Sequence, residues 1–264
     1  MNVLVCIKQV PASSNVKVDP ETGVLKRNSN DAKMNPYDLY ALECALELVE
    51  RCGGTVEVIT MGPPSAGAVI EEAICMGATN GCVLSDRKFA GADVLATAYT
   101  LSQGIRSMGK FDVIFCGKQT TDGDTAQVGP ETAEFMNIPH IAGVKKIEKV
   151  RGGNITVVAK QGQYLVTQTV SMPCMICTES DINTPRLPSY KRQKAMSADK
   201  SEIQIKTFES FLDKDESHYG LAGSATQVEK IFPPDVNTEK QFIEGDSEEQ
   251  TEQLLKLLNT KKFI

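Results

Sequence analysis

The chain has 264 residues, of which 41% are hydrophobic, and a formal net charge of −6. The acidic balance argues against a nucleic-acid binder, which usually presents a basic surface, and the absence of tryptophan leaves few rings to stack on bases. No apolar stretch approaches the roughly 20 residues of a membrane helix. The short apolar run at the N-terminus lacks the basic leader of a signal peptide. Eight cysteines, several of them among apolar residues, fit a reducing compartment. Together these features predict a cytoplasmic protein with no membrane insertion.

Short apolar runs alternate with helical patterns through the first 140 residues. The runs predict buried strands, and apolar positions at helical spacing predict helices. The predicted strands are residues 2–7, 55–60 and 111–116, and the predicted helices are residues 36–51, 65–76 and 92–107. This alternation predicts an α/β fold with a doubly wound, mostly parallel sheet.

The pattern changes after residue 140. A β-hairpin extension around Gln161-Gly162 is predicted, followed by a strand, a basic loop and a last amphipathic helix. The hairpin strands are residues 154–160 and 163–170, and the next strand is residues 171–178. The loop is residues 185–200, and the helix is residues 248–259. The acidic tail has too few apolar residues for a core of its own. We therefore expect an α/β domain over residues 1–200 and a C-terminal arm over residues 201–264 that packs on a partner or on the main domain.

The segment GKQTTDGDTAQVGP at residues 117–130 is the strongest candidate for a ligand site. It directly follows a predicted strand, and doubly wound sheets bind ligands beyond the carboxyl ends of their strands. Gly117, Gly123 and Gly129 would let the backbone approach a ligand closely. A helix that begins near Pro130 would offer N–H groups to a diphosphate. A plain solvated loop before a capped helix stays open, since glycine-rich loops are weak signals.

Two aspartates in this segment fit poorly beside phosphates. Asp122 and Asp124 could instead cap the following helix or bind ribose hydroxyls. The first strand is followed by neither GxGxxG nor a phosphate-binding GxxxxGKS/T loop. A bound nucleotide would therefore need a different set of turns.

Two further segments open helices and could hold parts of a ligand. Asn35-Pro36-Tyr37-Asp38 could dock an anion or an adenine edge, although N-capping by Asn35 is the simpler interpretation. Residues 85–97 could present a helix N-terminus to a phosphate or ribose. An ordinary capped helix after Asp93 is the alternative there.

The remaining candidate groups favour structural roles. Cys174 and Cys177 form a CxxC, but no second CxxC or nearby histidine pair completes a zinc site. A redox CxxC usually opens a helix, whereas this one lies in a predicted strand. His140 and His218 are far apart and lack a nucleophile motif such as GxSxG. We expect no metal site and no hydrolytic triad, and we assign no catalytic acid or base.

Six segments, in the same order, resemble the small (beta) subunit of electron-transferring flavoproteins. They are VLVCIKQVP at the start, MNPYDLYALECALEL at 34–48, AICMGA at 73–78, GKQTTDGDTAQVGPETAE at 117–134, MPCMICTESDINTPRLPS at 172–189 and GLAGSATQVEKIFPP at 220–234. The resemblance implies a heterodimer whose larger (alpha) subunit carries one FAD, while the small subunit holds a second adenine nucleotide. That nucleotide is a structural AMP in respiratory-type members. In electron-bifurcating members it is a second FAD, which accepts hydride from NADH.

The loop at residues 120–131 resembles the bifurcating type. Respiratory-type members tend to carry a third acidic residue where Gly123 stands and a different polar pair where Thr125 and Ala126 stand. By this resemblance, the residues that would line the FAD pocket are Cys6, Lys8, Asn35, Tyr37, Asp38, Met61, Thr120, Thr121, Asp122, Gly123, Asp124, Thr125, Ala126, Gln127, Val128, Gly129 and Pro130. Those that would lie towards NAD are Phe89, Gly91, Ala92, Asp93 and Thr97.

The resemblance also implies partners. The loop at about residues 185–196 is similar to the recognition loop that docks a dehydrogenase, with Leu187, Pro188, Ser189 and Tyr190 as the docking residues. Tyr190-Lys191 replaces an apolar pair that is common in respiratory-type members. The acidic tail resembles the arm that embraces the larger subunit. The implied partners are that subunit, ferredoxin, and an acyl-CoA or hydroxy-acid dehydrogenase.

Three hypotheses follow from these patterns. In the first, FAD bound here takes hydride from NADH, one electron passes through the larger subunit's FAD to a dehydrogenase, and the other reaches ferredoxin. In the second, the chain holds a structural AMP and docks the dehydrogenase without catalysis. In the third, it is an adenine-nucleotide-binding regulatory protein without redox function.

Overall fold

The structure is a computed structural model, and it describes residues 1–12, 17–18, 25–26, 32–199, 203–229, 240 and 242–264. The chain divides into two compact units, Met1–Gln227 and Val228–Ile264. Of the predicted C-terminal arm over residues 201–264, residues 201–202, 230–239 and 241 lie outside the described residues.

The first unit contains the strands and all but the last of the described α-helices. Its strands are β1 (Asn2–Cys6), β2 (Gln9–Pro11), β3 (Lys17–Val18), β4 (Leu25–Lys26), β5 (Ala32–Met34), β6 (Thr55–Met61), β7 (Asn80–Leu84), β8 (Val113–Gly117), β9 (His140–Arg151), β10 (Asn154–Gln161), β11 (Tyr164–Ser171), β12 (Cys174–Thr178) and β13 (Gln204–Lys206). Its α-helices are α1 (Pro36–Cys52), α2 (Gly67–Met76), α3 (Val94–Met108), α4 (Val128–Met136) and α5 (Tyr190–Asp199).

Nine of these strands form one sheet in the order β11-β10-β9-β12-β8-β1-β6-β7-β13. The seven strands from β9 to β13 in this order run parallel, and β10 and β11 extend the sheet as an antiparallel hairpin. This arrangement confirms the predicted α/β class, the mostly parallel sheet and the hairpin extension.

Alternating side chains of the central strands fill two cores, one on each face of the sheet. Val3 and Val5 of β1 pack on one face with α1 and α2, whereas Leu4 and Cys6 pack on the other with α3 and α4. Successive side chains of a strand point to opposite faces of the sheet, which produces this division. A parallel sheet has helices on both faces, so it has a core on each.

The sequence patterns missed some elements. Strands β7, β9 and β13 were not predicted, and β13 joins the sheet edge beside β7. The prediction of a loop throughout residues 185–200 was wrong, since α5 occupies Tyr190–Asp199. This helix consists of strong helix formers such as lysine, arginine and glutamine, but it has no apolar stripe. A search for apolar periodicity therefore overlooks it.

The second unit contains α6, from Ser247 to Thr260, which confirms the predicted amphipathic helix. Its N-terminus is closed by a capping box, in which Asp246 accepts from Glu249 and the Glu249 side chain accepts from Asp246. Leu254 and Leu255 are exposed on it.

The order of the strands reverses at β1. The chain passes from β1 to β6 and β7 on one side, and then returns to β8 on the other side of β1. In open α/β sheets, ligands bind outside the carboxyl ends of the strands at this switch point. The carboxyl ends of β1 and β8 therefore define where a site is expected.

The packing of α3 on the sheet can be tested at Gly104. A Cβ added there would lie 2.3 Å from the Leu84 Cδ1 atom and 3.2 Å from the Ile59 Cδ1 atom, and both side chains are fully buried. Replacing glycine by alanine inside an exposed helix usually stabilises it. Here we expect Gly104→Ala to lower the free energy of unfolding by about 1–3 kcal/mol, because the methyl group overpacks the core.

Urea denaturation measures this effect, and Leu84→Ala provides the matched background. In that background the added methyl group has room, so Gly104→Ala should cost much less. A stabilising Gly104→Ala in the unmodified chain would contradict the close approach of α3 to the sheet.

Candidate functional site

Three chain segments meet at the carboxyl ends of β1 and β8. They are the turn after β1, the start of α1, and the loop between β8 and α4. The Lys8 carbonyl accepts a hydrogen bond from the Asn35 amide at 2.8 Å, which brings the first two segments together. This is the switch point of the sheet, and it carries most of the residues predicted to line a nucleotide pocket.

Asp38 is the centre of this junction. Its side chain lies in the first turn of α1 and is only 5% exposed. Its Oδ2 atom accepts a hydrogen bond from the Lys8 amide at 2.8 Å. Burial raises the pKa of Asp38 to about 7, although hydrogen bonds from Asn35, Lys8 and Gly117 act in the opposite direction. The predicted ligand-lining residue is thus turned towards the backbone of its own chain.

Gly117 is required by this contact. A Cβ at residue 117 would lie 2.5 Å from the Asp38 Oδ1 atom and 2.7 Å from the Tyr37 carbonyl carbon. Gly129 is constrained in the same way, since its Cβ would lie 2.5 Å from the Cys177 Sγ atom. These two glycines therefore allow close approach of the protein to itself, whereas the sequence suggested close approach of a ligand.

Asn35 stands at the N-cap of α1, but its side chain makes no capping hydrogen bond. Its Nδ2 atom donates to the Gln119 carbonyl at 2.8 Å, and its Oδ1 atom accepts from the Thr121 amide at 3.3 Å. The simpler interpretation of Asn35 as a helix cap is therefore wrong. The side chain instead clamps the loop after β8 onto the start of α1.

Lys8 holds the tip of the same loop. Its Nζ atom lies 2.8 Å from Asp122 Oδ1 and 2.9 Å from Asp122 Oδ2. Although burial opposes it, the hydrogen bond from Lys8 lowers the pKa of Asp122. Asp122 therefore pairs with Lys8 and does not cap α4. A ligand near Lys8 would meet a cation that is already paired.

The loop at residues 121–127 is exposed and holds an uncommon backbone conformation. Asp124 and Ala126 adopt φ values of 55° and 58°, in the left-handed region that non-glycine residues rarely visit. Asp124 is bonded by the side chain of Gln119, and its amide donates to the Thr120 carbonyl at 3.1 Å. Strained backbone of this kind concentrates at ligand sites, where the surrounding structure enforces it.

Helix α4 begins directly after this loop. Gln127 occupies the N-cap position, and no side chain of the described residues caps the helix. Pro130 has no N–H and the Glu131 amide donates to the Gln127 carbonyl at 3.0 Å, so the Val128 and Gly129 amides are the donors that a bound anion would satisfy. In the first turn, Glu131 has a buried Oε2 atom without a hydrogen-bond partner in the described part of the chain. Burial, followed by the charge of Asp93, raises the pKa of Glu131.

The segment predicted to face NAD forms the start of α3. Asp93 caps this helix by accepting from the Ala96 amide at 3.0 Å, as the capped-helix alternative predicts. Phe89 is 4% exposed and stacks on Phe211 with ring centroids 5.3 Å apart. Gly91, by contrast, is exposed. Phe89 and Asp93 therefore fix the segment, and Gly91 contributes surface.

The segment GLAGSAT at 220–226 packs on this region, and the sequence patterns did not place it there. The Leu221 amide donates to the Ala90 carbonyl at 3.0 Å, and the Asp93 amide donates to Ser224 Oγ at 2.8 Å. Thr226 donates to Asp93 Oδ2 from its amide and its hydroxyl. Although burial opposes it, hydrogen bonds from Ala96, Thr226 and Ala225 to its carboxylate lower the pKa of Asp93. The run of small residues in this segment could have indicated close packing. At Gly220 there is no room for a Cβ beside the Lys88 carbonyl.

Seven of the eight cysteines are buried, and Cys52 is exposed. Cys6, Cys116 and Cys177 occupy paired positions on the neighbouring strands β1, β8 and β12. Cys174 and Cys177 pack in the cores on opposite faces of the sheet, so the CxxC cannot act as a dithiol. Burial raises the pKa of Cys177 well above its usual value. Within the described residues, no cluster of three or more ligating side chains could hold a metal ion.

The segment predicted to dock a dehydrogenase is anchored at its base. Arg186 binds the buried carboxylate of Glu43 at 2.8 Å and the exposed carboxylate of Glu50 at 2.6 Å, and both glutamates lie on α1. Leu187 is 87% exposed and Tyr190 is 78% exposed. The segment therefore presents apolar side chains to solvent from a fixed base.

The remaining predicted residues are distributed around the junction. Tyr37 and Met61 are half-buried, and Met61 is the last residue of β6. The structure brings together the residues after β1, at the start of α1 and in the loop 117–130. The residues predicted to lie towards NAD form a separate cluster at the start of α3. None of the described helices is both long and apolar enough to cross a membrane.

An open parallel sheet with a loop cluster at its switch point defines a class of α/β proteins that bind ligands at the carboxyl edge. A family model described as the electron transfer flavoprotein domain matches residues 22–209. The electron transfer flavoprotein subunit beta of Thermoanaerobacterium thermosaccharolyticum is 39% identical to this chain, and the alignment covers 100% of each. The chain belongs to the electron transfer flavoprotein family, among its beta subunits.

Two other relatives carry different names. Protein FixA of Azorhizobium caulinodans is 40% identical over 94% of this chain and 90% of its own length. The acryloyl-CoA reductase electron transfer subunit gamma of Anaerotignum propionicum is 36% identical, with 100% of each chain covered. The family resemblance in the sequence is thus confirmed, and the bifurcating type stays a prediction.

The clamp made by Asn35 can be tested directly. Asn35→Ala would leave the Gln119 carbonyl and the Thr121 amide without their partner, so we expect a loss of about 1–3 kcal/mol in the free energy of unfolding. We also expect faster proteolytic cleavage within residues 117–127.

Asn183→Ala is the matched control, since Asn183 Nδ2 bonds the Tyr40 carbonyl at 3.0 Å on the same helix. That variant should lose stability without exposing the loop. Equal cleavage of residues 117–127 in Asn35→Ala and in the unmodified protein would show that Asn35 does not hold the loop.

Proposed function

We propose that this chain is the small subunit of a heterodimeric electron-bifurcating flavoprotein. It binds a second FAD, which takes hydride from NADH. The electrons are divided between ferredoxin and, through the FAD of the larger subunit, a partner dehydrogenase. The observation that carries the proposal is the exposed loop at residues 121–127, clamped at the switch point and followed by the uncapped N-terminus of α4.

The residues present fit an adenine dinucleotide. The first amides of α4 and the positive helix end suit a diphosphate. Glu131 has a buried, unpartnered Oε2 atom in the described structure, which a hydroxyl or N–H donor of a ligand would satisfy. Residues 120–130 would hold the diphosphate and the ribityl chain, and the segments at Lys8 and Asn35 would hold the loop in place.

The small residues favour FAD over AMP. Among the described residues, and apart from its chain neighbours, a Cβ added at Gly123 would have one heavy atom within 4 Å, Thr120 Oγ1 at 3.3 Å, so this position is open. Thr125 and Ala126 are also exposed. Larger or acidic side chains at these positions would fill the space and repel phosphate. The alternative is a structural AMP in a non-bifurcating subunit.

Bound FAD would supply the redox chemistry, namely hydride acceptance from NADH and delivery of single electrons. The chain supplies binding, orientation and electrostatics. The Val128 and Gly129 amides of α4 would face the negative charge of a diphosphate, and the Lys8–Asp122 ion pair would hold the tip of the loop in place. The wall formed by residues 88–93 and 220–226 would border NAD, with Gly91 and Ala92 at its surface and Asp93 and Thr97 in the first turn of α3.

Partner binding is proposed for two surfaces. Leu187, Pro188, Ser189 and Tyr190 would dock the dehydrogenase, and the exposure of Leu187 and Tyr190 supports this assignment. The name of the Anaerotignum relative supports an enzyme of the acyl-CoA class as partner. The arm that contains α6 would bind the larger subunit through its exposed leucines.

Nucleotide extraction from the purified two-subunit complex tests the proposal. We expect two FAD for each heterodimer and NADH-dependent reduction of ferredoxin in the presence of a dehydrogenase and its oxidised substrate. One FAD and one AMP for each heterodimer would overturn bifurcation and establish the alternative. A chain that purifies without a larger subunit or flavin would instead support a regulatory nucleotide-binding protein.

Gly123→Asp tests the placement of the loop. The glycine does not need a positive φ, so the chain itself should tolerate the substitution. We expect the second flavin to bind roughly tenfold more weakly, about 1.4 kcal/mol, because a like charge is placed near phosphate.

Gly123→Asn is the control, since it has the same size without the charge. It should lose less affinity than Gly123→Asp, and the difference should shrink at high salt. Unchanged flavin stoichiometry in both variants would show that the loop does not border the ligand.

A further inference from the structure

We propose that Asp38 is a positioning residue whose carboxylate ties the ends of β1 and β8 together and thereby sets the geometry of the nucleotide cradle. It does so without touching the nucleotide. This inference rests on the proposed nucleotide site, and it assigns Asp38 a different role from the lining role that the family resemblance implies.

The contacts of Asp38 carry the inference. Its Oδ2 atom accepts from the Lys8 amide at 2.8 Å, which fixes the turn after β1. The Asn35 side chain and the Gly117 amide also bond the carboxylate, and the second bond fixes the last residue of β8, from which the loop starts. Asp38 is 5% exposed, so these contacts occupy a carboxylate that solvent barely reaches.

The two segments held by Asp38 are the ones that shape the cradle. Lys8 extends from the first to form the ion pair with Asp122 at the loop tip. Gly117 begins the second, which leads through Gln119 and Thr121 to the strained residues near Ala126. A small shift at Asp38 would therefore move the base and the tip of the loop relative to each other.

Few other titratable groups face this carboxylate. From the end of β1 comes Lys8, whose charge is shared with Asp122. From β8 comes Cys116, whose pKa is raised well above its usual value by its hydrogen bond with Cys6 and by burial, so that it stays a neutral thiol. When the charge of Asp38 changes near neutral pH, the charges of these neighbouring groups therefore stay constant.

Stability and nucleotide retention should respond to pH in opposite directions. The pKa of Asp38 is about 7 in the folded chain and 3.8 in the unfolded chain. Between pH 3.8 and pH 7, the folded chain therefore holds a proton on Asp38 that the unfolded chain has lost. The contribution of Asp38 to stability is therefore largest at low pH and falls as pH rises through 7. Protonation, however, replaces one hydrogen-bond acceptor by a donor that faces the amides, so the cradle loosens as pH falls.

The experiment compares the purified heterodimer with its Asp38→Asn variant between pH 6 and 8. Release of the bound nucleotide is followed by flavin fluorescence, or by chromatography of the released nucleotide if it is AMP. In the unmodified complex we expect release to become about fivefold faster from pH 8 to pH 6. In Asp38→Asn, release should be fast at every pH, since one of the two acceptor oxygens is replaced by an NH2 donor that would face backbone donors.

Glu43→Gln is the matched control, because Glu43 is also buried on α1 but bonds Arg186, away from the cradle. It should lower the urea midpoint and leave the pH profile of release unchanged. A profile in Asp38→Asn that still follows that of the unmodified complex would overturn the positioning role. A complex that contains no second nucleotide would overturn the proposed function instead, so the two failures are distinguishable.

Discussion

A carboxylate buried between two strand ends organises the site of this protein. Asp38 accepts hydrogen bonds from the backbone on both sides of the switch point, and Gly117 has no side chain because the carboxylate occupies that space. Buried charge is costly unless it is hydrogen-bonded, so this arrangement is stable only while the strand ends keep their positions. The positions of these strand ends therefore determine the position of the loop that would bind a nucleotide.

The same arrangement explains why the loop can be exposed and still ordered. Residues 121–127 make few contacts with the core, and two of them hold positive φ values. Asn35 at the loop base and Lys8 at its tip supply the hydrogen bonds that enforce this conformation. These side chains thus hold the loop that leads into the uncapped N-terminus of α4, and an uncapped helix N-terminus suits an anion.

Local patterns predicted the sheet and its main helices because the period of two and the period of 3.6 are strong there. Strand β9 escaped prediction because its polar residues hide the alternation, and α5 because it lacks an apolar face. The loop 117–130 was identified from its composition. The roles of Asn35, Asp38 and Asp122 could not be predicted, because their partners lie 30 to 114 residues away along the chain. Such contacts depend on the order of the strands.

Amide hydrogen exchange of the intact heterodimer, before and after removal of its nucleotide, tests the central claim most directly. If the backbone after β8 holds the nucleotide, peptides that cover residues 117–130 should exchange on the order of tenfold faster once it is removed. Peptides from the hairpin of β10 and β11 should be unchanged. Equal exchange of residues 117–130 in both states would contradict the account, because the nucleotide would then be held elsewhere.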